Sequence, residues 1–216
     1  MKKQHIAFLG GAALLLVFML AGYFYSSQRA GRIELMARNN SAPLVRDYSQ
    51  SLGPADAKVV IVEFFDPACE TCRDFAPHIK DLLALHTGRI RLVLRYAPFH
   101  HGSDTMVKIL EAARQQDKYW ETLQVMFDTQ PHWASHHNPQ PDKIWRFLPS
   151  AGLNIEKIRS DMNDLKILEI IRQDIADAQT LSVRETPDFF VNGKPLPSFG
   201  FSQLKALVDK EIAANY

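Results

Sequence analysis

Apolar and polar positions divide the 216 residues into zones of different character. Residues 6–25 carry no charged side chain, residues 26–50 are mostly polar, and from Leu52 onward short apolar runs alternate with helical periodicities. Val59-Val60-Ile61-Val62-Glu63-Phe64-Phe65 is rich in β-branched and aromatic residues and predicts a buried strand. Asp66-Pro67 is turn chemistry that closes it. Phe75, Ile79, Leu82, Leu83 and Leu85 then recur at helical spacing, which puts Cys69 and Cys72 in the first turn of a helix. Pro77 inside that pattern predicts a kink.

Ile90-Arg91-Leu92-Val93-Leu94-Arg95-Tyr96 alternates and reads as the next strand, so the two strands and the helix form a right-handed parallel βαβ unit. Ser103 or Asp104 should cap a helix through Met106, Val107, Ile109, Leu110 and Ala113. Four further amphipathic pieces follow, around Tyr119 to Phe127, Ile144 to Leu148, Ile155 to Met162, and Leu165 to Ala178. Phe189-Phe190-Val191 is a short strand before Asn192-Gly193, a strong two-residue hairpin signal. Pro187 lacks an N–H and belongs at that strand's start. Ser202 should cap a last helix through Leu204, Leu207, Val208 and Ile212. The pattern is that of one α/β domain over residues 51–216, with a helical insertion at about 103–181.

Upstream, residues 1–5 are a short basic leader. The uncharged stretch 6–25 reaches the roughly 20 residues needed to span a bilayer, and Tyr23, Phe24 and Tyr25 suit an interfacial aromatic belt. A cleaved signal peptide has a shorter apolar core of about 7–15 residues, and small residues rather than bulky aromatics precede its cleavage site. An uncleaved transmembrane signal anchor is therefore expected. Lys2 and Lys3 on one side face Arg29, Arg32 and Arg38 on the other, so charge does not orient it. Residues 26–50 form a juxtamembrane linker: a spacer, or a segment through which two copies could form a homodimer.

A net charge of +1 argues against a nucleic-acid partner, which would demand a basic stripe. The chain has two cysteines, both in the Cys69-Glu70-Thr71-Cys72 motif. Structural zinc would need two further ligands at recognisable spacing, so a redox pair is the favoured reading. A helix start favours an anion, which marks Cys69 as the low-pKa attacking thiol and Cys72 as the more buried, resolving one. Glu63 interrupts an apolar strand; if buried, it would have a raised pKa and could take the Cys72 proton, and the plainer alternative is a solvated strand edge. His100, His101, His132, His136 and His137 fall in loops and read as exposed, though with Cys69 and Cys72 they could bind copper or zinc.

The block Glu63-Phe64-Phe65-Asp66-Pro67-Ala68-Cys69-Glu70-Thr71-Cys72 resembles the active-site segment of DsbA-like thiol–disulfide oxidoreductases of the thioredoxin superfamily. Thr186-Pro187 matches that superfamily's cis-proline, and an insertion of roughly 80 residues matches its DsbA-like branch; the resemblance covers Leu52 to Tyr216. It implies a thioredoxin fold with a helical insertion and a cis Thr186–Pro187 bond. Glu63 stands where such proteins carry an acid, and Thr186 would pair with client backbone by β-augmentation. No cofactor is implied beyond a redox-active Cys69–Cys72 disulfide. The implied location is the bacterial inner membrane, single-pass, with the domain in the periplasm. The implied partners are unfolded or disulfide-containing clients and a membrane redox partner, a DsbB-like oxidase or a DsbD-like reductase. Glu70-Thr71 replaces the Pro-His of strongly oxidising members, and a carboxylate beside a thiolate raises its pKa. A weaker oxidant is expected. A copper-handling protein and a tethered chaperone are the alternatives from other classes.

Overall fold

The structure is a computed structural model that describes residues 14–25, 27–28, 43–134 and 138–216. Its centre is a five-stranded sheet: β1 (Gln50–Leu52), β2 (Val59–Phe65), β3 (Ile90–Tyr96), β4 (Asp188–Val191) and β5 (Lys194–Pro195), in the order β1-β3-β2-β4-β5. β2 and β3 run parallel from Val59↔Ile90 to Phe65↔Tyr96, and every other pairing is antiparallel. Helix α1 (Glu70–Leu85) makes the crossover between them and continues through Pro77 as one helix. The helical insertion follows β3 as α2 (Ser103–Arg114), α3 (Tyr119–Thr129), α4 (Ile155–Asp161) and α5 (Leu165–Thr180); α6 (Phe201–Asn215) ends the chain.

Because side chains alternate across a strand, β2 divides its residues between two cores. Ile61 and Phe65 pack toward α1, α6 and the insertion, with Phe75, Ile79, Leu82, Leu204, Val208, Leu94 and Phe189. Val62 and Phe64 pack on the other face with Val93, Phe190, Ala178, Leu181 and Val183. By the same alternation Glu63 points to the α1 side. It is buried, not at a solvated edge.

The piece expected around Ile144 to Leu148 is two 3-10 turns, Pro141–Arg146 and Leu148–Ala151. Pro149 has no N–H to donate backward and its ring obstructs a continuing α-helix. Two expected caps also differ. Gly102, not Ser103 or Asp104, stands at the N-cap of α2, and Gly200, not Ser202, at that of α6. The Ser103 hydroxyl is directed to Asp66 instead.

Arg95, a charged position of β3, is fully buried. Its Nη2 donates to Asp174 Oδ1 at 2.7 Å and Asp177 Oδ2 at 2.6 Å, and its Nη1 to the Pro43 carbonyl at 2.7 Å. Arg46 grips Asp177 through two donors at 2.8 and 2.7 Å, and the Tyr48 hydroxyl donates to Asp174 at 2.6 Å. One buried cluster thus fastens the segment before β1 to β3 and α5.

Residues 14–25 are helical with their apolar side chains exposed. Among the described residues no helix is long and apolar enough to cross a membrane. Residues 1–13, and most of the linker at 26 and 29–42, lie outside the described residues.

Removing one partner of a buried ion cluster leaves an uncompensated charge. Arg95→Met is expected to lower unfolding stability by ~3–5 kcal/mol, and adding Asp174→Leu to recover much of it. Urea denaturation of both variants at constant slope measures this.

Candidate active site

The thiols are placed by the turn that ends β2. Asp66 is fully buried; its Oδ1 accepts from Ala68 N at 2.8 Å and its carbonyl from Cys69 N at 3.0 Å. That short Asx-type turn swings the chain from strand to helix and makes Cys69 the N-cap of α1, with φ −76° and ψ 122°. Gln130, from the end of α3, donates through Nε2 to the carbonyls of Pro67 at 2.9 Å and Cys69 at 3.0 Å. The turn is therefore held from both sides.

Both sulfurs are free thiols and both are buried, Cys69 at 3% exposure and Cys72 at 0%. The Cys69 pKa is lowered to about 5. A hydrogen bond from Cys72 is the largest cause, followed, against burial, by the Thr186 side chain and the N–H groups of Cys72 and Thr71 at the helix start. Cys72 is pushed well up by burial first, then by the bond it gives to Cys69 and by the charges of Cys69 and Glu63. The two acidities are thus driven apart, the pattern that separates an attacking from a resolving thiol.

The Thr186–Pro187 bond is cis, as the resemblance implies. The register Phe64↔Asp188 brings Pro187 level with the end of β2. The Thr186 carbonyl then lies 3.2 Å from Cys69 Sγ, where it accepts the thiol proton in the neutral form. Pro187 is buried and Thr186 half-buried.

Glu63 has its pKa raised to about 8, by burial first and the Cys69 charge second. Its side chain lines a cavity of about 300 Å³ between α1, the sheet and α3, walled by Phe65, Ile79, Leu94, Leu123 and Phe127, with Lys80 and Gln124 also lining it. A carboxyl held neutral here can donate a proton as well as accept one.

Two expected features sit differently. Glu70 is half-buried, and its charge acts on His100. His100 is not an exposed loop histidine: its Nδ1 is 2.8 Å from Asp66 Oδ2, and 19% of its side chain is exposed. His101 and His132 are exposed. His136 and His137 lie outside the described residues. Among the described residues no three metal-ligating side chains converge. Sequence reading missed Asp66 beyond its turn, His100 and Gln130. Only the Asp-Pro pair ahead of the cysteines signalled that the turn had structure of its own.

A thioredoxin family model matches residues 46–210. A probable disulfide bond formation protein D of Bacillus anthracis is 30% identical over 177 residues, which are 76% of this chain and 78% of that protein. A thioredoxin-like oxidoreductase from Silicibacter pomeroyi DSS-3 superposes with a TM-score of 0.66 at 30% identity, over 76% of this chain and 92% of that one. The thiol-disulfide exchange protein alpha-DsbA2 from Wolbachia pipientis has the same fold, with a TM-score of 0.69 at 19% identity, over 85% of this chain and 97% of that one. The chain spans between 22% and 32% of the first curated relatives it matches, Na(+)/H(+) antiporters such as one of Salinispora tropica, 30% identical over 85% of this chain.

A carboxyl whose folded pKa is raised contributes most stability below its ordinary value and loses it as pH rises. For Glu63 the loss runs from about 4.5 to about 8. Glu63→Gln removes that slope, so the reduced variant should gain on the native protein across this window, by ~3 kcal/mol near neutrality. Urea unfolding at several pH values checks it; parallel curves would refute a buried carboxyl of raised pKa.

Proposed function

The chain belongs to the thioredoxin family, among its DsbA-like thiol–disulfide oxidoreductases, and we propose that it exchanges disulfides with client proteins through Cys69 and Cys72. The observation that carries this reading is the Cys69 sulfur, 3.2 Å from the Thr186 carbonyl beside a cis-proline, with Cys72 fully buried behind it. In the oxidising direction a client thiolate attacks Cys69 of the Cys69–Cys72 disulfide. That S–S bond breaks, a mixed disulfide forms, and Cys72 leaves as a thiolate. Its high proton affinity calls for a donor, and Glu63, neutral below about pH 8, supplies the proton. A second client thiolate then attacks the client sulfur of the mixed disulfide, and Cys69 leaves with the electron pair. A low-pKa thiol leaves faster, so the Cys69 environment favours this release. The reverse sequence reduces or isomerises a client disulfide. Thr186 offers its backbone to an extended client segment as an added strand.

A Cys69 pKa of about 5 falls between ~3.5 for a strong oxidant and ~7 for a reductant of this architecture. The protein is accordingly a milder oxidant than the archetype. Residues 6–25 tether it to the bacterial inner membrane, with the domain in the periplasm and a membrane oxidase or reductase resetting the pair. Support for the tether comes from the uncharged run and from the exposed apolar side chains of residues 14–25.

Equilibration of the full chain with glutathione should give a potential between about −120 and −270 mV. Cys72→Ser should trap a mixed disulfide with a reduced client, and Cys69→Ser should form none; no trapped adduct would sink the exchange reading. The full chain should sediment with membranes and need detergent for release, unlike a chain lacking residues 1–25. Release by salt alone would overturn the tether.

A further inference from the structure

The loop between β3 and α2 brings a second charged cluster against the thiol turn. Asp66 Oδ2 accepts from His100 N at 2.9 Å, from His100 Nδ1 at 2.8 Å and from Ser103 Oγ at 3.1 Å. With the bond from Ala68, this one buried carboxylate shapes the turn that presents Cys69 and also fixes the His100 imidazole. The loop can turn back so sharply because Gly102 adopts φ +77°. A Cβ there would also come within 2.8 Å of Pro141 Cγ. None of these groups has a part in the exchange steps themselves.

We propose that His100, held as an imidazolium by Asp66, is a positioning residue that adds to the support of the Cys69 thiolate and makes that support depend on pH. This rests on the disulfide-exchange reading for its consequence but not for its test. A buried Asp66 carboxylate with no cation beside it would repel a thiolate three residues on. The imidazolium cancels that repulsion.

Among the described residues, Asp66, Cys69 and Glu70 are charges that act on His100, and the Ser103 hydroxyl shares Asp66. The Asp66 hydrogen bond raises the His100 pKa most, burial opposes it, and the Asp66, Cys69 and Glu70 charges add to the rise. Interaction between titrating groups is reciprocal, so the thiolate that holds the proton on His100 is itself stabilised by that proton. Above about pH 5 both charges coexist, and as pH passes the raised His100 value the imidazole becomes neutral and the thiolate loses its support.

The test is titration of Cys69 in the reduced full chain, by thiolate ultraviolet absorbance and by the rate of iodoacetamide alkylation. His100→Gln keeps a donor toward Asp66 but carries no charge. It should raise the Cys69 pKa by ~0.5–1 unit, a roughly two- to fivefold loss of alkylation rate near pH 5. His100→Lys, which keeps the charge, should restore most of it, whereas a role in loop packing alone would leave both variants equally altered. A native titration curve in His100→Gln would overturn the proposal. Neither readout needs a client, so this failure is distinguishable from failure of exchange, which the native protein alone would reveal.

Discussion

The hydrogen bond from Cys72 to Cys69 governs the chemistry of the site. It is the largest influence lowering the Cys69 pKa, and it adds to the burial that raises that of Cys72. Because both sulfurs are out of water, solvent cannot perform this division, and fixed donors must. The other donors are the Thr186 side chain and backbone N–H groups at the start of α1, the latter left over by helix geometry itself. Asymmetry between two chemically identical thiols is therefore a product of position: one at the N-cap, one a turn deeper.

The rest of the site answers the cost of that arrangement. A buried Cys72 with a raised pKa needs a proton partner in a place water enters poorly, and Glu63 lies on the same face of β2 as the residues packed on α1. Its neutrality near pH 7 makes burial tolerable and makes it a donor at once. Asp66 and Gln130 hold the turn that carries Cys69 from opposite sides, through a side chain in one case and two carbonyls in the other. The sheet register aligns β4 with the end of β2, so that the Thr186 carbonyl reaches Cys69.

The opposite face of the sheet carries a second buried polar cluster. Arg95, Asp174, Asp177, Arg46 and Tyr48 bind the segment that precedes β1 to the middle of the domain. Pro43, Arg46 and Tyr48 are thus charge-clamped on the side of β3 away from α1. The thiol site and the Arg95 cluster occupy opposite faces of one sheet.

Much of this was legible along the chain. The apolar run of β2, the helical spacing after Cys72, the Asn192–Gly193 hairpin and the four-residue thiol motif are local signals, and local backbone preferences translate them directly into structure. The apolar strand around Glu63 left burial and a solvated edge both open, and the structure buries it. His100, Asp66, Gln130 and Arg95 were not legible in their roles. Their partners lie 34 to 82 residues away, and a loop histidine or a strand arginine has no periodicity that foretells what the sheet will set against it. The sequence by itself determined where the paired thiols stand and which elements present them. Tertiary structure alone decided which charges meet those residues, because strand register and helix docking, not chain order, fix the distances over which electrostatic interactions act.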